Sequence, residues 1–565
     1  MRAREADVIV VGGGHNGLIC AAYLARAGIE TLLVEARRDV GGCASTVSDL
    51  DARFNICNCD HSMVRGMPII DELDLEAYGL RYLAPDVTAI NRFHDESQPW
   101  LFLHDVDAHL DALSQTHPRA VDGYRRYLDD AIPVAELALE IARTRPSLGA
   151  MTATVARRRA AGAARLLRWA RSSQLDVLRA YFDDWHLIAP AVSSGPTVWG
   201  VPPTARGTGT AAALYATRHL ITSGRPVGGS GALTDSVRAS FEAAGGRTRC
   251  RSMVATLLVA DGRVQGVRLD DDTELTADVV VAACDPHRVF VDWIHDVPPA
   301  ARRVVDRWRD RPVPDGYESK VDAVLTPLPT WRGQAELSSL AGGADLLGPT
   351  TLVSPDLRQI SEANDLRERG RVHPFPTFMV NIPSVLDPDM QPDASQHVLS
   401  LEVLFTPYAL EGGWPDSGEP ARWLAVLEGL MEPGTLQIER WRAMTPDRYE
   451  AEFQMHRGHT PSYSGSPLAA LVGRSRETTR YRTPIEGLYL SGAGTFPGAG
   501  IFGAAGRNAA DAVVRDLRSR EPAIDRGRRA ILALTKRSRR DEPTRRRAGE
   551  TSRRDEPARR AGETT

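Results

Sequence analysis

Residues 10–18 read VVGGGHNGL. Three glycines stand together, a fourth follows after His15 and Asn16, and an apolar run, Ala6–Val11, leads in. Glycine weakens regular structure, so a cluster this dense marks backbone that must come very close to something. The apolar run has the continuous character of a strand buried on both faces. LICAAYLARAG follows with apolar residues at helical spacing as far as Gly28, a helix stop. IETLLVE then makes a second apolar strand ending on Glu35, 23 residues after Gly12. Strand, glycine turn, helix, strand and acid are the context in which G-x-G-x-x-G binds a dinucleotide. In that reading Gly12 allows the tight turn, Gly14 lets backbone approach a pyrophosphate, Gly17 lets helix pack on strand, and Glu35 meets a ribose hydroxyl. The free N–H groups and positive dipole end at the helix start suit the anion.

Glu35 opens EARRDVGGC, with Ala36 and Arg37 beside it and a second glycine pair, Gly41-Gly42, shortly after. Further backbone approach just past the ribose acid suits FAD. GGGHNGL followed by VEARRDVGG resembles the flavoprotein superfamily of amine oxidases and phytoene desaturases, and most of all its phytoene-dehydrogenase-like branch. Amine oxidases usually carry arginine after the glycine pair; Cys43 stands there in this chain, which favours the desaturase side. The resemblance implies an α/β fold: a discontinuous Rossmann-like FAD-binding domain (1–60, 222–300 and 476–520) with an inserted α+β substrate domain (61–221 and 301–475). His15, inside the glycine turn, is expected beside the pyrophosphate or in packing, and Asn16 with it.

Two distant stretches fit the same reading. GGSGALTDSV (228–237) opens a helix, RSMVATLLVADGRVQGVRL follows with Asp261-Gly262 as a hairpin signal, and ADVVVAACDP is another buried strand. By resemblance, a residue near Val254 meets the adenine through its backbone. GLYLSGAGTFPGAGIFGAAGRNAA (487–510) looks like the family's last flavin-binding element, with Gly494, Thr495, Gly503 and Ala504 as its candidate contacts. Arg507 has two open readings, a cofactor phosphate or a neighbouring carboxylate.

The resemblance implies a reaction in which hydride leaves a substrate C–H bond for flavin N5 and a proton leaves the adjacent carbon, giving a double bond. Three alternatives stay open: amine oxidation, with an aromatic cage over the flavin; redox-neutral isomerisation on reduced flavin; and a flavin-stabilised partner protein without turnover. Lys320, one of only two lysines in the chain, lies in ESKVDAVLTPLPTW. That segment resembles the amine-oxidase segment whose lysine holds a water near the flavin, so Lys320 is a candidate catalytic group; the plain alternative is a strand-edge lysine. His61 follows Asp60 where family members pass beneath the flavin and is a candidate base, or a packing residue.

Composition bounds the rest. A chain of 565 residues forms several packed units. Its net charge of −4 recruits no nucleic acid. The six cysteines show no CxxC, and Cys57 and Cys59 flank a single asparagine with no second ligand pair nearby, so no metal is expected. No run approaches 18 apolar residues and no leader pattern opens the chain, so a cytoplasmic protein is expected; the resemblance implies a small, apolar substrate. Residues 155–171, VARRRAAGAARLLRWAR, carry six arginines at helical pitch; a peripheral membrane contact is one reading and a solvated helix the other. From Lys536 onward eleven basic and six acidic residues alternate with few apolar ones, a composition that cannot offset ordering entropy, so a disordered charged tail is expected over 521–565.

Overall fold

The structure is a computed structural model describing residues 4–57, 59–144, 147–158, 162–313, 315–463, 470 and 473–520. The first strand, β1 (Ala6–Val11), runs parallel to β2 (Thr31–Val34) on one side and to Glu274–Ala282 on the other. Between β1 and β2 lies helix α1 (His15–Arg26), nine of whose twelve residues are buried. Arg247–Arg249 extends the sheet beyond β2, and Leu488–Leu490 pairs with the far side of Glu274–Ala282. All five parallel strands therefore end at one edge, the place where open α/β sheets take ligands. Asp261 and Gly262, both at positive φ, turn Val254–Ala260 back into Arg263–Leu269 as an antiparallel hairpin on this sheet.

A second sheet has the order Ile438–Met444, β3 (Glu318–Leu325), β4 (His397–Leu404), Phe378–Asn381, Thr350–Ser354, Val87–Phe93 and Trp100–Leu103. It is antiparallel except where Thr350–Ser354 runs with Val87–Phe93. All eight β3 residues are buried, although Glu318, Lys320 and Asp322 are charged. Strand alternation puts those three on one face, while Val321, Ala323 and Leu325 join the apolar core on the other. Helices between residues 106 and 220, the longest being Val121–Arg143, pack an aromatic core of Trp100, Phe102, Tyr124, Tyr127 and Tyr215.

The basic stretch 155–171 is not one helix. Leu148–Arg157 and Ala163–Trp169 are separate, and Gly162 between them sits at φ +72°. Arg158 pairs with Glu136 at 2.5 Å and Glu140 at 2.6 Å, Arg165 pairs with Asp130, and Leu166 and Trp169 are buried. Arg158 and Arg165 thus meet acids of Val121–Arg143, and Leu167 is the exposed large apolar residue among the described residues of the stretch. No described helix is long and apolar enough to cross a membrane. One unit runs to Ala512 and a second starts at Val513; the last helix, Ala504–Arg520, ends the described chain, and the tail expectation for 521–565 lies outside the described residues.

Candidate flavin site

The glycines of the first turn do three different jobs. Gly12 has φ +100°, and a Cβ there would lie 3.0 Å from both the Ala283 carbonyl oxygen and Cys284 Sγ. A Cβ on Gly17 would lie 1.9 Å from the Gly12 carbonyl oxygen, so helix and turn touch only because it is glycine. A Cβ on Gly14 meets nothing within 4 Å, because Gly14 opens on a cavity of about 1050 Å³. The second pair is built against the first. The Gly41 N–H donates to the Gly13 carbonyl at 2.8 Å, and a Cβ on Gly42 would reach Gly14 Cα at 3.1 Å.

Glu35 is held by backbone: the Gly13 N–H donates to its Oε2 at 2.6 Å and the Arg37 N–H to its Oε1 at 2.8 Å. Both oxygens retain lone pairs, and the residue lines the cavity with Ala36, Arg37, Gly42 and Val254. Arg37 stacks its guanidinium 4.0 Å from the Phe453 ring centroid. Asn16 Nδ2 meets His15 Nε2 at 2.9 Å, and Asn16 Oδ1 accepts the Gly506 N–H at 3.3 Å, joining the first turn to the last helix. Burial lowers the His15 pKa to about 4, so this neighbour of the turn is neutral at physiological pH.

The C-terminal glycine loop closes the same cavity, with different residues from those expected. Gly492, Ala493 and 496–502 line it. Gly494 packs on Pro286, and Thr495 donates its hydroxyl to the Gly492 carbonyl at 2.8 Å. Gly503 faces Ile19 and Ile69, and Ala504 is fully buried. These four shape the loop from behind. Arg507 resolves to the carboxylate reading: it grips Glu72 at 2.7 and 2.8 Å.

Neither candidate catalytic group lines the cavity. Lys320 is 2% exposed; its ammonium donates to the Asn55 carbonyl and pairs with Asp322 at 2.6 Å, and Asp322 also takes Arg442 at 2.9 Å. A lysine committed to two buried acceptors is a structural cation. His61 is wholly buried, with Nδ1 3.1 Å from the Tyr82 hydroxyl and Nε2 3.1 Å from Ser230 Oγ. Burial lowers its pKa from 6.5 to about 3, too low for a base near neutrality. The unfolded chain binds a proton on His61 below about pH 6.5 that the folded chain refuses, so this residue withdraws stability as pH falls from 6.5 towards 3. His61→Gln is expected to flatten the loss of thermal stability over that window, measured as Tm against pH; an unchanged slope would show that His61 carries no such linkage.

What the sequence reading passed over stands at the other end of the cavity. Asp60, the neighbour of His61, points in; Arg225 donates to it at 2.7 Å and Thr350 at 2.5 Å. Cys43 and Cys57 both line the wall. The neighbouring Cys57 thiol and the Arg37 charge hold Cys43 below the usual thiol range; the neighbouring Cys43 and burial push Cys57 above it. Cys57 Sγ donates to Glu318 Oε1 at 3.7 Å. Glu318 and Glu402, both in the wall, stand diagonally on the same face of the paired strands. Burial first, then the neighbouring acid, lifts Glu318 well above the carboxylate range. Two signals could have found them: Glu318 shares a strand face with Lys320, and Glu402 interrupts an otherwise apolar strand, HVLSLEVL.

The sequence matches the family described as flavin containing amine oxidoreductase over residues 17–311, more than half of the chain. The chain belongs to this family. FAD is its cofactor, and the glycine cradle, the open Gly14 and the free lone pairs of Glu35 fit that molecule. Three relatives align along nearly their whole lengths. Pyridine nucleotide-disulfide oxidoreductase domain-containing protein 2 of Rattus norvegicus is 28% identical over 91% of this chain and 94% of its own. A limonene dehydrogenase polypeptide of Castellaniella defragrans is 26% identical over 91% and 95%, and the lycopene-forming phytoene desaturase of Paracoccus sp. 27% over 90% and 96%. A solved variant of putrescine oxidase shares the fold, with a TM-score of 0.60 at 18% identity, covering 92% of this chain and all of that one. The protein is thus an oxidoreductase of the flavin amine oxidase and desaturase type.

Proposed function

We propose that this flavin oxidoreductase dehydrogenates an apolar, unsaturated hydrocarbon, introducing a double bond. The observation that carries the reading is the wall of the cavity beyond the cofactor cradle. Ala135, Ala138, Leu139 and Ala142 of Val121–Arg143 line it, with Leu352 and Met379 from the second sheet. Such a lining rewards a hydrocarbon by burial. Two aromatic rings of the wall, Tyr463 and Phe496, meet edge to face at 87°, unlike the paired cage that amine oxidation calls for. Two of the relatives carry hydrocarbon names, limonene dehydrogenase and phytoene desaturase.

Bound FAD supplies the two-electron oxidant that accepts hydride. The chain's own part is to hold that cofactor through the glycine turns and Glu35, to exclude water from an apolar chamber, and to receive the proton. Anaerobic mixing of the holoprotein with terpenes and polyenes is expected to bleach the flavin absorbance, while primary and secondary amines leave it unchanged. Bleaching by amines alone would assign the other chemistry of the family.

A further inference from the structure

Two carboxylates set side by side away from water repel each other, and one proton held between them removes that repulsion. Glu318 on β3 and Glu402 on β4 are such a pair. The strands run antiparallel with Lys320 opposite Glu402, so Glu318 lies diagonally across from Glu402 on the same face. Both side chains are part of the cavity wall. We propose that Glu318 and Glu402 share one proton and form the acid–base site of the cavity, Glu318 as the proton-holding donor and Glu402 as the base that receives the proton of an apolar substrate.

This rests on the dehydrogenation reading above and adds its missing proton acceptor. Hydride leaves one substrate carbon for the oxidant already named. The C–H bond of the adjacent carbon breaks, its electron pair becomes the new C=C bond, and the proton passes to Glu402. The pair then holds two protons and returns one to solvent before the next turnover. His61, which does not line the cavity, takes no part in this.

The surroundings suit the role. Lys320 stands opposite Glu402, and its fixed charge favours the ionised form of that acid over Glu318. Burial above all, with Asp322 and Asp60 adding to it, acts in the contrary direction and raises Glu402 above the usual carboxylate range. On the other side Cys57 donates to Glu318, Cys43 lies beyond it, and the Tyr449 hydroxyl donates away to the Ile56 carbonyl at 3.1 Å. Dry surroundings with one nearby cation set two like acids apart in affinity, which is how paired carboxyls divide donor and acceptor roles.

The test uses the holoenzyme and two readouts. Infrared spectra of wild type at pH 7 are expected to contain the carbonyl stretch of a protonated carboxyl, shifted in D2O and lost in Glu318→Gln and in Glu402→Gln. This needs no substrate. With a hydrocarbon that bleaches the flavin, Glu402→Gln is expected to slow anaerobic reduction about 10²–10⁴-fold, leave the flavin spectrum intact, and abolish the acidic limb of the rate–pH profile. Absence of the protonated-carboxyl band from wild type, which requires no variant to fold, would overturn the shared proton. A band with unchanged reduction kinetics in Glu402→Gln would overturn the acid–base role. Failure of every hydrocarbon to bleach would instead strike the dehydrogenation reading, and the base role with it, leaving the infrared result to decide the shared proton alone.

Discussion

Gly17→Ala is expected to yield a protein that no longer retains FAD, while Gly14→Ala folds as wild type and loses affinity for FAD only. The two substitutions add the same methyl group. At Gly17 it would lie 1.9 Å from the Gly12 carbonyl oxygen, so helix α1 must move off the glycine turn that opens on the cavity. Overpacking by such a group costs about 1–3 kcal/mol even where backbone can yield, and about 3 kcal/mol is on the order of a hundredfold in affinity. At Gly14 the backbone is extended, at φ −67° and ψ 169°, which any residue adopts, and the methyl meets no protein atom within 4 Å. It meets only what enters the cavity. Flavin absorbance per polypeptide after desalting, with Tm of the apoproteins, separates the cases. Full FAD retention in Gly17→Ala would disprove the packing argument, and full retention in Gly14→Ala would place the cofactor elsewhere.

Lys320→Met is expected to cost about 3–5 kcal/mol of stability, the usual result of removing one partner of a buried ion pair. Lys320 and Asp322 are 2% and 1% exposed in their side chains, so solvent screens neither. Methionine fills the volume of the aliphatic stem, but it leaves Asp322 to Arg442 alone and the Asn55 carbonyl without its donor. Chemical denaturation of the holoprotein measures the change. A double variant, Lys320→Met with Asp322→Asn, should recover part of the loss, because the uncompensated charge is then gone. Stability equal to wild type in the single variant would mean that the ammonium is not committed to these partners and would reopen the catalytic reading of Lys320.

How far the sequence could be read depended on distance along the chain. At the turn Gly12–Gly17 the positive φ of Gly12 and the close packing of Gly17 were legible, because the strand, turn and helix that require them are contiguous. The hairpin at Asp261-Gly262 was legible for the same reason: two positive φ values fall on neighbouring residues suited to them. In the last loop the glycine density pointed to the cavity, but Gly494, Thr495, Gly503 and Ala504 turned out to support the wall from behind. Which side of a glycine-rich loop faces inward is set by its packing on Pro286, Ile19 and Ile69, and those partners lie far away in sequence. Residues 155–171 repeat the lesson: Arg158 and Arg165 meet acids of Val121–Arg143, which no helical wheel of the stretch itself contains.

The chain's own order of residues thus pointed to a dinucleotide cradle, to FAD, and to two glycine loops far apart in sequence that line one cavity. Local backbone conformation needs only neighbours, and glycine states its requirements in place. The far end of the cavity was decided by tertiary structure alone. Cys57, Glu318 and Glu402 meet because β3 and β4 pair in one register and the Asn55 carbonyl reaches Lys320. A slip of one residue in that pairing would turn Glu402 to the other face and leave Glu318 without its partner.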